Sequence, residues 1–216
     1  MLWSAPRWRA LPAKKSKPST TSRSSRSSTK RGACTASITY RPAEHVDLYR
    51  AGRRFASHAL SALGLTDTVF HLEAFKADDG FDFFAGELGA RPAGNYIVPM
   101  VRSAFRVDLW DAHARISVGH LPAPPGQGSE LAWGFTDLPS VAGQPNTVEA
   151  KQLERLAGVR DVSVSTPLGT PMRDMTTSSA FNIGHALVAG ETEEQCEQLI
   201  AAVQEETMRL HRSATT

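Results

Sequence analysis

The chain has 216 residues, 41% of them hydrophobic and including four Trp and nine Phe, with a formal charge of +2; that is enough apolar material for one sizeable domain or two small ones. No apolar run approaches the ~18 residues of a membrane span, and the N-terminus lacks the apolar centre of a secretory signal. The two cysteines, Cys34 and Cys196, stand far apart, so neither a disulfide framework nor a thiolate metal site is expected, and a reducing, cytoplasmic setting is the default.

The small net charge conceals two unlike regions. Up to Ala43 there are ten Lys and Arg and no acid, whereas fourteen basic and 22 acidic residues follow. The stretch "AKKSKPSTTSRSSRSSTKRGACTAS" has almost nothing to bury, so ordering it would cost backbone entropy that no core offsets. Residues 1–43 are therefore expected to be a disordered basic tail. Three roles compete for it: an arm for nucleic acid or anionic surfaces, an Arg- and Ser-rich transit peptide, or a tail without function left by a mis-assigned start or a frame error. No aromatics are interleaved with the charges at binding spacing, which weighs against nucleic acid.

Order is expected from Glu44. In "EHVDLYRAGRRFASHALSALG", Val46, Tyr49, Phe55, Ala59, Leu60 and Leu63 recur mostly at three- and four-residue steps and Gly64 offers a stop, which predicts an amphipathic helix. His45 and His58 lie on it without a second ligand at metal spacing, and are read as surface or core-edge residues. "DTVFHLEAFK" supplies a strand, "ADDG" a turn and "FDFFAGEL" the return strand of a hairpin.

Side chains alternate faces along a strand, so His71, Glu73 and Phe75 share one. A loop of odd length centred near Gly80 would set Glu73 opposite Glu87, with His71 and Gly89 as the next aligned pair; a two-residue turn would shift the register by one and part the carboxylates. Opposed like charges destabilise a sheet unless one carboxyl keeps its proton or a divalent cation sits between them. Mg²⁺ suits the second case, because it binds through one or two carboxylates together with waters and phosphates. The alternative is a solvated face with no role.

Next, "GELGARPAGN" packs poorly as sheet but lets a ligand approach the backbone closely. Arg91, four residues after Glu87, would share its face if the extended conformation persists, and could grip a phosphate or acyl phosphate bidentately. "YIVPMVRSAFRVDLWDAHARISVG" has apolar clusters at helical spacing, with Pro99 in the first turns and a break near Arg106. "HLPAPPGQGSE" reads as a loop, and "LAWGFTDLPSV", "VRDVSVSTPLG" and "AFNIGHALVAG" as strands. Thr192 with Gln195 predicts a capping box for a last helix whose Cys196, Leu199, Ile200, Val203 and Met208 share a face. His71, His120 and His185 are taken as structural. Arg173, in a polar Thr- and Ser-rich loop, is a candidate to touch phosphate or substrate. No Gly-x-Ser-x-Gly elbow is present.

The run "FHLEAF…GFDFFAGELGARPAGNYIVPMVRSAFRVDLW" resembles the metal-binding half of the ATP-grasp superfamily, in the branch that holds amino-acid ligases and relatives of biotin carboxylase. The likeness lies in Glu73 and Glu87 on successive antiparallel strands, then Arg91-Pro92 and Gly94, then a helix with the ending Val107-Asp108-Leu109-Trp110. What it implies is the C-terminal part of an ATP-grasp fold over residues 46–207, α+β with an antiparallel sheet and packed helices. The metal-binding subdomain would occupy 44–120 and a C-terminal α+β subdomain 121–216. It further implies an ATP- and Mg²⁺-dependent carboxylate-amine ligase, acting on small molecules through an acyl phosphate. Glu73 and Glu87 would bind the Mg²⁺ and Arg91 would hold the carboxylate or acyl phosphate. The Gly94 backbone would lie close by, and Gly94 and Arg173 are the cofactor-binding candidates. All of these residues would position groups and neutralise charge rather than react covalently. A biotin-carboxylase-like enzyme and a non-catalytic binding module derived from the fold are the alternatives. Two departures stand out. Gly89 occupies the place where many ATP-grasp enzymes put a metal-binding Asn, and no phosphate-cradling glycine loop lies upstream. The chain is thus expected to correspond to the C-terminal portion of a longer enzyme, active in a longer form, with a complementary polypeptide or as a homo-oligomer.

Overall fold

The computed structural model describes residues 34–76, 82–126, 128–175 and 177–213. These form two compact units, residues 40–130 and residues 34–39 with 131–213. The expected tail lies outside the described residues up to position 33, as does the hairpin turn at 77–80.

In the first unit, helix α1 (Val46–Ala62) buries Ala51, Gly52, Ala56 and Leu60. These are spaced so that one stripe meets a hairpin of β2 (His71–Lys76) and β3 (Phe83–Gly89). Leu60 and Leu72 are fully buried in that contact, with Ala56 and Phe70 beside them and Leu88 and Phe55 packed alongside. Burying each such leucine stabilises by about 1.5–3 kcal/mol. The ends of the predicted stripe, Val46 and Leu63, are instead exposed. Helix α2 (Ile97–Phe105) ends where Arg106 turns left-handed at φ 56° and its N–H meets the Arg102 carbonyl at 2.9 Å. That is the expected break. Asp108 then caps α3 (Leu109–Ser117), accepting from the amides of Trp110 at 2.8 Å and Asp111 at 3.2 Å. Burial alone would raise the Asp108 carboxyl, but these amides and Arg102 outweigh it and hold the group below its ordinary value.

The second unit is a four-stranded antiparallel sheet in the order β1-β4-β6-β5, made of β1 (Ala36–Ile38), β4 (Ala132–Asp137), β6 (Gly184–Gly190) and β5 (Val159–Val164). Strand β1 corrects one expectation, since it falls inside the stretch read as disordered. Ala36 is buried and Ile38 packs against the same core, and hydrogen bonds from Thr39 N to Trp133 O (2.7 Å) and from Asp137 N to Thr35 O (2.9 Å) tie its two ends. A short helix α4 (Ala150–Leu153) follows β4, and α5 (Glu193–Ser213) covers one face of the sheet. The helix lies so close that a Cβ at Gly134 would come within 2.8 Å of Cys196 Sγ and 3.0 Å of Ile200 Cδ1.

At the start of α5, Gln195 N–H donates to Thr192 Oγ1 (3.1 Å), while the Gln195 side chain accepts from Glu191 N (2.6 Å). The cap therefore closes on the residue before the one expected. The buried stripe of α5 runs Cys196, Ile200, Val203, Gln204, Thr207 and His211, with Met208 only half-buried. Its polar members have partners: Gln204 Nε2 donates to Thr136 Oγ1 (2.7 Å), and the His211 ring lies between Thr147 Oγ1 (3.1 Å) and the Pro139 carbonyl (3.2 Å). Both sheets are antiparallel and carry helices, the α+β class expected. Among the described residues no helix is long and apolar enough to cross a membrane.

Candidate metal and phosphate site

The hairpin pairs Glu73 with Glu87 and His71 with Gly89. Leu72 and Leu88 point to α1, so the two carboxylates stand on the opposite face. The expected opposition is present, but for another reason. The pairing nearest the turn is Lys76 with Phe83, which leaves six residues between them, an even number. With that register continued, Glu87 would meet Leu72 and turn towards α1. Between Ala74–Ala85 and Glu73–Glu87 the ladder slips by one, and Gly86 is the extra residue of a β-bulge. The bulge brings Glu87 round to Glu73. A Cβ at Gly86 would meet Phe75 Cε2 at 3.0 Å and the Glu73 carbonyl at 3.4 Å, so a side chain there would have to push the exposed Phe75 ring aside by a few tenths of an ångström.

Strand β3 ends at Gly89, yet Arg91 still reaches back. Its Nη2 lies 3.7 Å from Glu87 Oε1, and its Nη1 donates to the Pro92 carbonyl at 3.1 Å. Both side chains are more than half exposed. Gly89 lies beneath the arginine: a Cβ there would sit in van der Waals contact with Arg91 Cγ at 3.4 Å. Pro92 and Ala93 are buried and anchor the loop, whereas Gly94 is exposed and a Cβ on it would meet nothing within 4 Å. Neither packing nor a left-handed backbone demands glycine at 94. Helix α2 begins three residues later with no side-chain cap on its first turn, which leaves backbone N–H groups and the positive end of the helix dipole for an anion.

Glu73, Glu87 and Arg91 are thus brought together, with Gly94 on the same loop as Arg91. Arg173 belongs to the second unit, between β5 and β6, where its guanidinium carbon lies 3.4 Å from the centre of the Phe181 ring. Among the described residues no group of three or more His, Cys, Asp or Glu gathers to hold a metal. The two carboxylates offer hard oxygen donors on an open face, a set that fits Mg²⁺ completed by waters and phosphate oxygens and would not suffice for a cage made of protein alone.

One cluster was not foreseen. Asp137, fully buried, faces His185 across adjacent strands, with Oδ1 at 3.3 Å from His185 Nε2, and its Oδ2 accepts from Thr35 N at 3.2 Å. Burial pushes the His185 pKa down. Burial also pushes the thiols of Cys34 and Cys196 up to about 12, in Cys34 with the help of Asp137 and in Cys196 of Glu197 and Glu193. Both thiols are buried and held in the neutral form, the opposite of the environment that activates a cysteine.

No family model matches the chain. An L-arginine-specific L-amino acid ligase from Bacillus subtilis is 28% identical to it over 151 residues, which are 69% of this chain and 36% of the relative. Among solved structures, an L-amino acid ligase from Bacillus licheniformis aligns with a TM-score of 0.64 at 17% identity, over 81% of this chain and 43% of its own. A carboxyaminoimidazole ribonucleotide synthase from Aspergillus clavatus, solved with ATP, aligns with a TM-score of 0.57 at 18% identity, over 82% and 44%. The chain therefore spans about a third to under half the length of the proteins it matches. It carries the C-terminal part of an ATP-grasp fold.

Proposed function

We propose that this chain is the metal- and phosphate-handling part of an ATP- and Mg²⁺-dependent carboxylate-amine ligase, with an amino acid as the amine. The observation that carries the proposal is the bulge at Gly86, which sets Glu73 against Glu87 with Arg91 beside them. A sheet gains nothing in stability from opposing two acids, so a cation partner is the physical reason for the arrangement. The relative named as an L-amino acid ligase, which aligns with 69% of the chain, supports the choice of reaction.

Glu73 and Glu87 would hold Mg²⁺, which when bound supplies positive charge to phosphate oxygens. ATP supplies the phosphoryl group that activates the carboxylate for attack by the amine. Arg91 is positioned by Gly89 and the Pro92 carbonyl, and its two N–H edges fit a planar carboxylate or an acyl phosphate. The open backbone at Gly94 and the uncapped start of α2 add neutral donors for the same oxygens. On the carboxylate face, the exposed pair Phe75 and Phe84, aligned across the strands, gives an aromatic surface on which a base can lie. A cytoplasmic site of action accords with two cysteines that are free thiols.

Titration calorimetry of the purified chain with Mg²⁺ and ATP tests this. Heat should require both ligands, and Glu87→Gln and Glu73→Gln should each weaken it at least tenfold. A folded chain that gives no heat, or glutamine variants that bind as the parent does, would overturn the proposal.

A further inference from the structure

Helix α3 packs against α2 and buries Leu109 and Ala112, with His113 and Ile116 half-buried beside them. At about 100° per residue, the side turned away from these carries Trp110, Ala114 and Val118. Trp110 is 58% and Val118 70% exposed, and Ala114 between them is exposed too. The end of the helix is fixed in place. Gly119 turns left-handed at φ 79°, its N–H donating to the Ile116 carbonyl at 3.0 Å while His120 N–H donates to the Arg115 carbonyl at 2.9 Å. Leu121 follows directly and is 74% exposed. A helix that had only its inner contact to make would carry polar residues on this outer side.

Elsewhere the exposed apolar side chains are scattered or already placed. Val46 and Leu63 stand at opposite ends of α1, Leu168 is in a turn of the second unit, and Phe75 with Phe84 belongs to the carboxylate face. Single exposed residues need no explanation, but a stripe along one helix does. Its borders say what covers it. On one side stand Asp111 and Arg115, joined through Arg115 Nε and Asp111 Oδ2 at 2.7 Å and each about half exposed. Ser117 and His113 border the other. A strongly acidic or basic partner would gain from one member of the ion pair and lose to the other. The surface that answers both charges at once is this same helix, reversed.

We propose that the outer face of α3 docks on the same face of a second copy of this chain, the two helices antiparallel about a two-fold axis. The proposal is independent of the ligase function above. Trp110 and Val118 stand equally far on either side of Ala114, so an axis near that residue lays Trp110 against the partner's Val118. The small Ala114 at the centre lets the helices approach. Asp111 then lies within reach of the partner's Arg115, and Arg115 of the partner's Asp111, closing the two ion pairs into a ring of four alternating charges. A parallel pair would instead oppose Asp111 to Asp111. Such a contact is isologous. One helix face from each copy places it at the small, reversible end of the interface range.

Sedimentation equilibrium of the full chain without nucleotide or metal, from low micromolar to several hundred micromolar, tests this. The mean mass should rise from monomer towards dimer and stop there. Trp110→Asp should weaken association at least tenfold with the far-UV circular dichroism unchanged. Asp111→Arg and Arg115→Asp should each weaken it several-fold alone, and an equimolar mixture of the two should restore it to within twofold of the parent, because each then meets the opposite charge on the other. A chain that stays monomeric throughout, association that Trp110→Asp leaves as it was, growth beyond the dimer, or a mixture that associates no better than its components overturns the proposal. Since no ligand is present, failure here leaves the calorimetry of the paired glutamates untouched.

Discussion

The two sheets of this molecule treat their polar residues in opposite ways. In the four-stranded sheet, polar groups are buried and met from within: Thr136 by Gln204, Asp137 Oδ2 by Thr35 N with His185 beside the other oxygen, and the His211 ring by Pro139 and Thr147. In the two-stranded hairpin, Glu73, Glu87 and Arg91 sit on an open face, with Arg91 at the long distance of 3.7 Å from Glu87. Groups already satisfied by the chain have little to offer a ligand. Groups held close but loosely paired can exchange one partner for another, at the expense of local stability.

The sharpest way to break this contrast is to remove the bulge. Deleting Gly86 should turn Glu87 into the apolar contact with Leu60 and Leu72, where an unpaired charge costs on the order of 3–5 kcal/mol. Chemical denaturation should show the first unit destabilised, and calorimetry should show Mg²⁺-ATP binding gone. The reciprocal change is Ile200→Ala in the core of the other unit. It should cost about 2–5 kcal/mol while leaving the affinity for Mg²⁺-ATP within twofold when measured on the folded chain.

Acidity tests the buried polar groups as a set. Burial lowers the pKa of His211, with the Pro139 hydrogen bond opposing it in part, and burial also lowers that of His185. A histidine depressed in the folded state binds protons more readily once unfolded. Its contribution to stability is therefore full above the unfolded value of about 6.5 and is lost as pH falls through the folded value. Thermal melts should drop as pH is lowered below about 6.5, and His211→Gln should flatten that slope. The smallest effect is expected at Asp108. Replacing this cap by alanine should cost about 1 kcal/mol, visible as earlier fraying of α3 in hydrogen exchange.

Much of the local structure was legible because it obeys short-range periodicity. The helical steps of α1, the break at Arg106 and the capping pair ahead of α5 all lie within windows of a few residues. Strand β1 was hidden because the basic run before it dominates the composition. Its own sign, Cys34, Ala36 and Ile38 alternating with polar residues, is only three positions long. Its stability comes from residues about 100 positions away, such as Asp137 and Trp133. The Asp137–His185 pair and the seat of Arg173 on Phe181 were hidden for the same reason, being products of strand alignment and loop folding. At the candidate site, the opposed glutamates were anticipated and the device that opposes them was not. A bulge leaves no mark in sequence beyond a glycine inside a strand, and β3 has Gly89 as well as Gly86.

That device sets the phase of the hairpin on the strand itself, downstream of the turn. Because Gly86 corrects the parity after the chain has come round, lengthening or shortening the turn by two residues, one on each strand side, would leave both carboxylates facing outward. The tip can vary in sequence and size while the acids keep their places, and the constraint on the hairpin falls on the bulge at position 86.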